Sequence, residues 1–206
     1  MALVKYNNNS LSSVTSASSL PTGAMTLIKS QTASSSSTIS FVHGSSDVVL
    51  DSTYPIYVFK FINMHPATDN VNFTVNFRDG GSSFDATKTS SAFAAYQNEA
   101  GDTTDVNYEA SFDLAQSTGN QPLNAGGGVG GDADQSISGT LHLFDPSSTT
   151  FVKHYISNIN FSNNSNYTIQ SFIAGYCNVT AAIDGVQFSM SSGNIDSGTI
   201  KMYGVV

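Results

Sequence analysis

The chain has 206 residues, and only 11% of them are charged against a usual ~25%; Ser, Thr and Asn stand where Lys and Glu normally would. Its net charge is −8, and no Lys or Arg falls between Lys88 and Lys153, where Glu99, Asp102, Asp105, Glu109, Asp113, Asp132, Asp134 and Asp145 all lie. That field is opposite to the one nucleic acid requires, no stretch approaches the ~18 apolar residues of a membrane span, and an uncharged hydroxyl-and-amide exterior, cheap to desolvate, suits a surface lying against other protein.

Residues 1–37 read as an extended Ser/Asn-rich N-terminal arm, and residues 38–206 as one domain. The arm's apolar residues Leu3, Val4, Leu11, Val14 and Leu20 are too scattered to build a core. Two readings follow: a disordered leader, or an assembly arm that orders by adding a strand to a neighbouring subunit. Met25–Ile28 forms one short strand after the Pro21-Thr22-Gly23 turn on either reading. No basic region followed by an apolar run opens the chain, so synthesis in a reducing cytoplasm is expected.

Beyond the arm the hydrophobic period is two. Thr38–Val42 is a strand, and Ile56–Ile62, apolar on both faces apart from Lys60, predicts a central strand covered on two sides. Val71, Phe73, Val75 and Phe77 alternate with polar residues, as do Val106, Tyr108, Ala110, Phe112 and Leu114, with Glu109 and Asp113 on the solvent side. Between them, Ala92, Phe93, Tyr96 and Ala100 suggest a short helical stripe within Lys88–Ala100. Gly126–Gly131 predicts a mobile or tightly turning loop. Ile137–Phe144, Phe151–Ile156, Tyr167–Ile173, Tyr176–Ala182, Val186–Met190 and Thr199–Val205 complete nine or ten strands. The class that follows is all-β, an antiparallel two-sheet sandwich of jelly-roll type.

Catalytic and metal signatures are not found. His43, His65, His142 and His154 have no two-ligand spacing, no Gly-x-Ser-x-Gly elbow presents a nucleophile, and the glycine run lacks the Lys-Ser/Thr of a phosphate loop. Cys177, the sole cysteine, sits in an apolar stretch and reads as a buried small hydrophobe. Glu99, Asp102 and Asp105 are the only candidates for calcium, and their order departs from the Asp-x-Asp-x-Asp-Gly loop, so a carboxylate-lined outer surface is the expectation. No enzyme and no cofactor are expected. Paired carboxylates for glycoside cleavage are conceivable on such a fold, yet a chain without Trp has little platform for sugar chains.

The last two dozen residues carry a resemblance. Ala182–Met190 and Gly193–Val205 flank a tight Ser-Gly-Asn-Ile-Asp-Ser-Gly connection, and this closing hairpin resembles the one that ends many small virion proteins of tailed bacteriophages. Tyr57–Phe77, an aromatic strand, a polar turn with His65-Pro66 and a second alternating strand, is similar to another part of such proteins. The resemblance implies a structural part of a virion, made in the host cytoplasm, assembled as a homo-oligomer (a trimer by analogy), and bringing no active site. In a capsid-decorating or cement protein the arm contacts capsid or a sister subunit, while loops Gly80–Asp85 and Gln116–Asp134 project outward with Asp85, Asn120, Asn124, Asp132 and Asp134. In the alternative, a tail-fibre or receptor-binding protein, the same loops hydrogen-bond host surface glycans.

Overall fold

The computed structural model describes residues 25–206. Twelve strands divide between two layers: β1 (Met25–Thr32), β2 (Ile39–Val42), β3 (Ile56–Pro66), β4 (Phe73–Arg78), β5 (Lys88–Asn98), β6 (Thr104–Tyr108), β7 (Gln121–Pro122), β8 (Ile137–Phe144), β9 (Lys153–Ser162), β10 (Tyr167–Cys177), β11 (Gly185–Met190) and β12 (Ile195–Val205). All pairings are antiparallel, and they form an eight-stranded sheet in the order β1-β12-β3-β8-β9-β10-β5-β6 and a four-stranded sheet in the order β2-β11-β4-β7. The expected two-sheet sandwich is what the chain forms. The five arm residues Leu3, Val4, Leu11, Val14 and Leu20 lie outside the described residues.

The two segments read as hairpins are sheet-crossing arches. β3 pairs with β12 and β8 while β4 pairs with β11 and β7, and β11 and β12 likewise belong to different sheets. In each case both strands present apolar residues to one shared interior, which hydrophobic alternation alone does not distinguish from two strands side by side. Residues 25–37, read as arm, belong to the sandwich: β1 pairs with β12 from Met25↔Val205 to Thr32↔Thr199, and Ser36 bridges to Ile195.

The helical stripe is also overturned. Lys88–Asn98 pairs with β10 over its whole length, placing Ala92 and Ala94 inward and Phe93 and Ala95 outward. Small residues are needed inward because a loop lies directly on them; a Cβ built on Gly126 would stand 2.9 Å from the Ala94 Cβ. That loop, Gln121–Val129, does not project outward. Gln121, Leu123, Asn124, Ala125 and Val129 are fully buried, and the segment covers the half of the large sheet that the small sheet leaves open. Gly128 sits where a Cβ would come within 2.6 Å of the Asn70 backbone carbon, so close approach of two chains fixes glycine there.

The core has two parts. Phe41, Phe59, Phe61, Phe73 and Phe188 form an aromatic cluster whose neighbouring ring centroids are 5.1 to 6.3 Å apart, mostly edge to face. Under the loop the interior turns polar. The Ser171 hydroxyl donates to the Leu123 carbonyl (2.7 Å) and accepts from the Ala125 N–H (2.9 Å), while Tyr155 donates to Gln121 Oε1 (3.1 Å). Every buried side-chain polar atom among the described residues has a partner.

Candidate interaction surface

The small sheet and the covering loop occupy one face of the eight-stranded sheet. No element of the described chain packs on its other face. Alternation along β9 is complete, with Tyr155, Ser157, Ile159 and Phe161 buried and His154, Ile156, Asn158 and Asn160 outward, and register carries that division across all eight strands. One outward row runs Leu27, Tyr203, Val58, His142, Ile156, Ala174, Ser91. The next runs Ser30, Lys201, Lys60, Thr140, Asn158, Phe172, Phe93, Tyr108.

Of the nine large hydrophobic residues exposed among the described residues, seven (Met25, Leu27, Ile62, Phe93, Val106, Tyr108 and Ile156) lie on this outward face. Single exposed apolar residues are ordinary, but their concentration on one face marks a contact surface. Phe93 stacks on Phe172 with centroids 4.7 Å apart, both rings facing out. Ile56–Ile62 was expected to be covered on both sides; Tyr57, Phe59 and Phe61 are covered by the second layer, whereas on the outward side Val58 is buried by its neighbours in the sheet, Ile56 and Lys60 are half-buried and Ile62 is exposed.

The charge pattern is equally uneven. Neither of the two rows contains a carboxylate, although the molecule carries fifteen acidic residues. Lys60 and Lys201 stand directly opposite each other, a repulsive cross-strand pair. The Lys60 ammonium lies 5.2 Å from the centre of the Tyr203 ring, and among the described residues neither lysine has a salt-bridge partner. His142, beside them, is held below the ordinary histidine range first by burial and then by the Lys60 charge. Toward the bulged end of β12 the first carboxylate is Asp196, whose Oδ2 lies 3.8 Å from His65 Nδ1.

The outward side of the small sheet is built differently. Its side chains satisfy one another: Thr74 bonds Ser189 (3.0 Å), Gln187 donates to Ser40 Oγ (3.0 Å), and Asn76 Nδ2 donates to Asn120 Oδ1 (2.9 Å). Thr74 and Asn76 are themselves buried in that network.

The loop residues singled out from sequence do not converge. Asp85, Asn120, Asp132 and Asp134 are exposed, but Asn124 is fully buried, its Oδ1 accepting from the Phe73 N–H (2.8 Å) and its Nδ2 donating to the Gly127 carbonyl (2.7 Å). Asn124 is therefore the staple of the covering loop rather than a surface residue. Asp134 lines a polar hollow of about 530 Å³ with His65, Asn63 and Asp196, and the Asp132 carbonyl lies 3.2 Å from His65 Nε2. No group of three or more His, Cys, Asp or Glu suited to a metal ion occurs among the described residues. Asp102 is engaged by Asn98 and Thr103, contacts that hold its carboxyl below the usual range, and Asp105 accepts from Val106 N–H and Asn107 Nδ2. The strand carrying Glu109 and Asp113 ends at Tyr108; a turn follows, in which Asp113 accepts from the Tyr108 hydroxyl and raises its pKa.

One inward row is chemically unusual. Lys88, Cys177 and Lys153 are cross-strand neighbours facing the interior, all fully buried. Burial lowers both lysines, Lys88 to about 8, and pushes the Cys177 thiol up to about 12. Each ammonium is spent on oxygen acceptors: Lys88 Nζ on Asn76 Oδ1 (2.6 Å) and the Ala86 carbonyl (2.7 Å), Lys153 Nζ on the Val179 carbonyl (2.8 Å). A protonated thiol and two engaged ammoniums constitute internal scaffolding, not an activated nucleophile.

Sequence reasoning missed the uncovered face, although its signal is present: strands whose two phases are both apolar, such as Ile56–Ile62 and Phe172–Ile173 beside Phe93–Ala94. No family model matches the chain, and no match was found among curated proteins or among solved structures.

Proposed function

We propose that this protein is a non-enzymatic structural subunit of a tailed-bacteriophage virion, a capsid-decorating or cement protein made in the host cytoplasm and assembled as a homo-oligomer on the particle. The observation that carries the assembly role is the outward face of the eight-stranded sheet, which holds seven of the nine large hydrophobic residues exposed among the described residues, has no carboxylate in its central rows and is covered by nothing in the described chain. The phage assignment is supported by the sequence pattern of Tyr57–Phe77 and Ala182–Val205, which resembles virion proteins although these segments form arches and not hairpins, and by a composition that replaces charge with hydroxyls and amides. Quantitative gel analysis of purified particles tests it. Hundreds of copies per particle support decoration, a few copies support a tail location, and absence from the particle refutes both.

A tail-fibre or receptor-binding role is favoured by one feature. A shallow hollow of about 710 Å³ at the β5–β6 corner is lined by Tyr96, Gln97, Asp105, Asn160, Thr168 and Gln170, an aromatic edge among amides and hydroxyls of the kind that recognises sugar. Binding of host surface polysaccharide by the isolated protein, lost in Gln170→Ala, would move the assignment to that class.

A further inference from the structure

We infer that the uncovered face of the eight-stranded sheet is closed by a second copy of this chain, in a two-fold dimer whose axis runs parallel to the strands between β8 and β9. This rests on the assembly reading above and names the partner of that same surface.

Size comes first. Eight strands at ~4.8 Å spacing and four outward rows along them give a face of about 800 Å², the area each partner contributes to a stable protein interface. Sheets stack face to face at about 10 Å, as the two layers within one sandwich do, so a second copy fits this surface without rearrangement.

Charge and side-chain size then choose the axis. The face is polarised: Lys60 and Lys201 lie on β3 and β12 toward one side, while Phe172, Phe93 and Tyr108 lie on β10, β5 and β6 in the same row toward the other. A two-fold axis parallel to the strands preserves rows and exchanges the sides. It sets Lys60 and Lys201 of one copy against the Phe172 and Phe93 rings of the other, with Asp113, held by Tyr108, at the rim. In the adjacent row it sets Tyr203 against Ser91, large against small. An axis perpendicular to the strands would instead lay β12 on β12 and bring lysines toward lysines, which is repulsive. The unpaired Lys60–Lys201 couple, unfavourable within one chain, is thereby given aromatic and acidic neighbours.

Ile156, 48% exposed and next to the axis, is buried twice in such a dimer. Sedimentation equilibrium of the full-length protein is expected to show a dimer. Ile156→Asp, at a position solvated in the single chain, is expected to raise the dimer dissociation constant at least about a hundredfold with an unchanged circular dichroism spectrum. Lys201→Glu is expected to weaken it as well, while Phe151→Asp, exposed but off this face, leaves it intact. A wild-type protein that stays monomeric at every concentration overturns the inference, as does an oligomer insensitive to both Ile156→Asp and Lys201→Glu. A protein that dimerises only after residues 1–24 are removed also overturns it, since the face would then be covered by the chain's own N-terminal segment. Particle incorporation by the Ile156→Asp monomer would separate the two readings: it removes the dimer from the decorating role while leaving the virion assignment standing.

Discussion

Replacing Lys88 with methionine should change how stability responds to pH in a way that can be worked out from its surroundings. The Lys88 ammonium is fully buried, and burial lowers its pKa from 10.5 to about 8. Because the folded value lies below the unfolded one, the unfolded chain binds more protons between them, and stability rises with pH through that window. From pH 7 to pH 9 the gain is about 1 kcal/mol, at 1.36 kcal/mol per unit of pKa. Cys177 acts in the opposite sense: its thiol is raised from 9.0 to about 12, so the unfolded chain loses its proton first and stability falls as pH passes 9. At pH 9 that loss is still under about 0.5 kcal/mol. Lys153, also lowered by burial, adds to the gain in both proteins and cancels in the comparison. Lys88→Met keeps the length of the side chain and removes the charge, and Asn76 Oδ1 retains the Phe77 N–H as a donor at 2.9 Å. Urea unfolding of both proteins at pH 7 and pH 9, extrapolated linearly, should show the wild type gaining about 1 kcal/mol more than the variant across that interval. Equal increments in the two would mean that Lys88 titrates as if it were in water, and the account of the polar interior would fail.

Phe188 touches four other rings of the core cluster, so Phe188→Ala should cost about 3–5 kcal/mol in the same unfolding assay; a loss below about 1 kcal/mol would show that the rings do not pack as a unit. Gly139 has φ +155°, and a Cβ there would stand 2.4 Å from the Asn158 carbonyl oxygen. Gly139→Ala should therefore destabilise by about 1–3 kcal/mol, read as a lowered thermal midpoint, and an unchanged midpoint would refute the β8–β9 spacing. Ser171→Ala leaves the Leu123 carbonyl and the Ala125 N–H without their partner, at a cost of about 1–3 kcal/mol. Amide exchange at Ala125 should accelerate while β10 stays protected; unchanged exchange at Ala125 would mean the covering loop is not held by that hydroxyl.

Strand positions were legible in the sequence because a sandwich strand with one wet face must alternate. Ile137–Phe144 is a strand over its expected span, and Val186–Met190 differs from the observed one by a single residue. Partners were not legible. The closing pair β11 and β12 and the aromatic pair β3 and β4 each lie in two sheets, and the four and six residues between them permit an arch as readily as a hairpin. Where alternation misled, a competing constraint prevailed. The helical stripe at Ala92, Phe93 and Tyr96 arises because Ala92 and Ala94 must be small beneath the covering loop, while Phe93 belongs to the other face. The series Val106 to Leu114 ends at Tyr108 because an edge strand with no layer beneath it has nothing to bury, and the chain turns there. Asn124 looked like loop polarity; its amide is consumed by backbone groups that the buried loop would otherwise leave unpaired.

The two outward faces of this molecule decide what its low charge means. Were the scarcity of Lys and Glu only a compositional habit, both faces would carry the same hydroxyls and amides. They do not match: bonded hydroxyls and amides occur on both, Thr74 with Ser189 and Gln187 with Ser40 on the small sheet, Asn160 with Thr168 and Gln170 with Asn158 on the large one, but only the large sheet adds exposed Ile156, Phe93, Val106 and Tyr108. Exposed sheet area of that kind is an association hazard unless something closes it. The central rows of that face lack the interspersed carboxylates that keep a solvated surface dispersed, and they retain a repulsive lysine couple that a polar replacement at either position would relieve. Exposed apolar residues and an unpaired cation couple on one face, beside a self-satisfied polar face on the other, are the features of a subunit built to be read from one side.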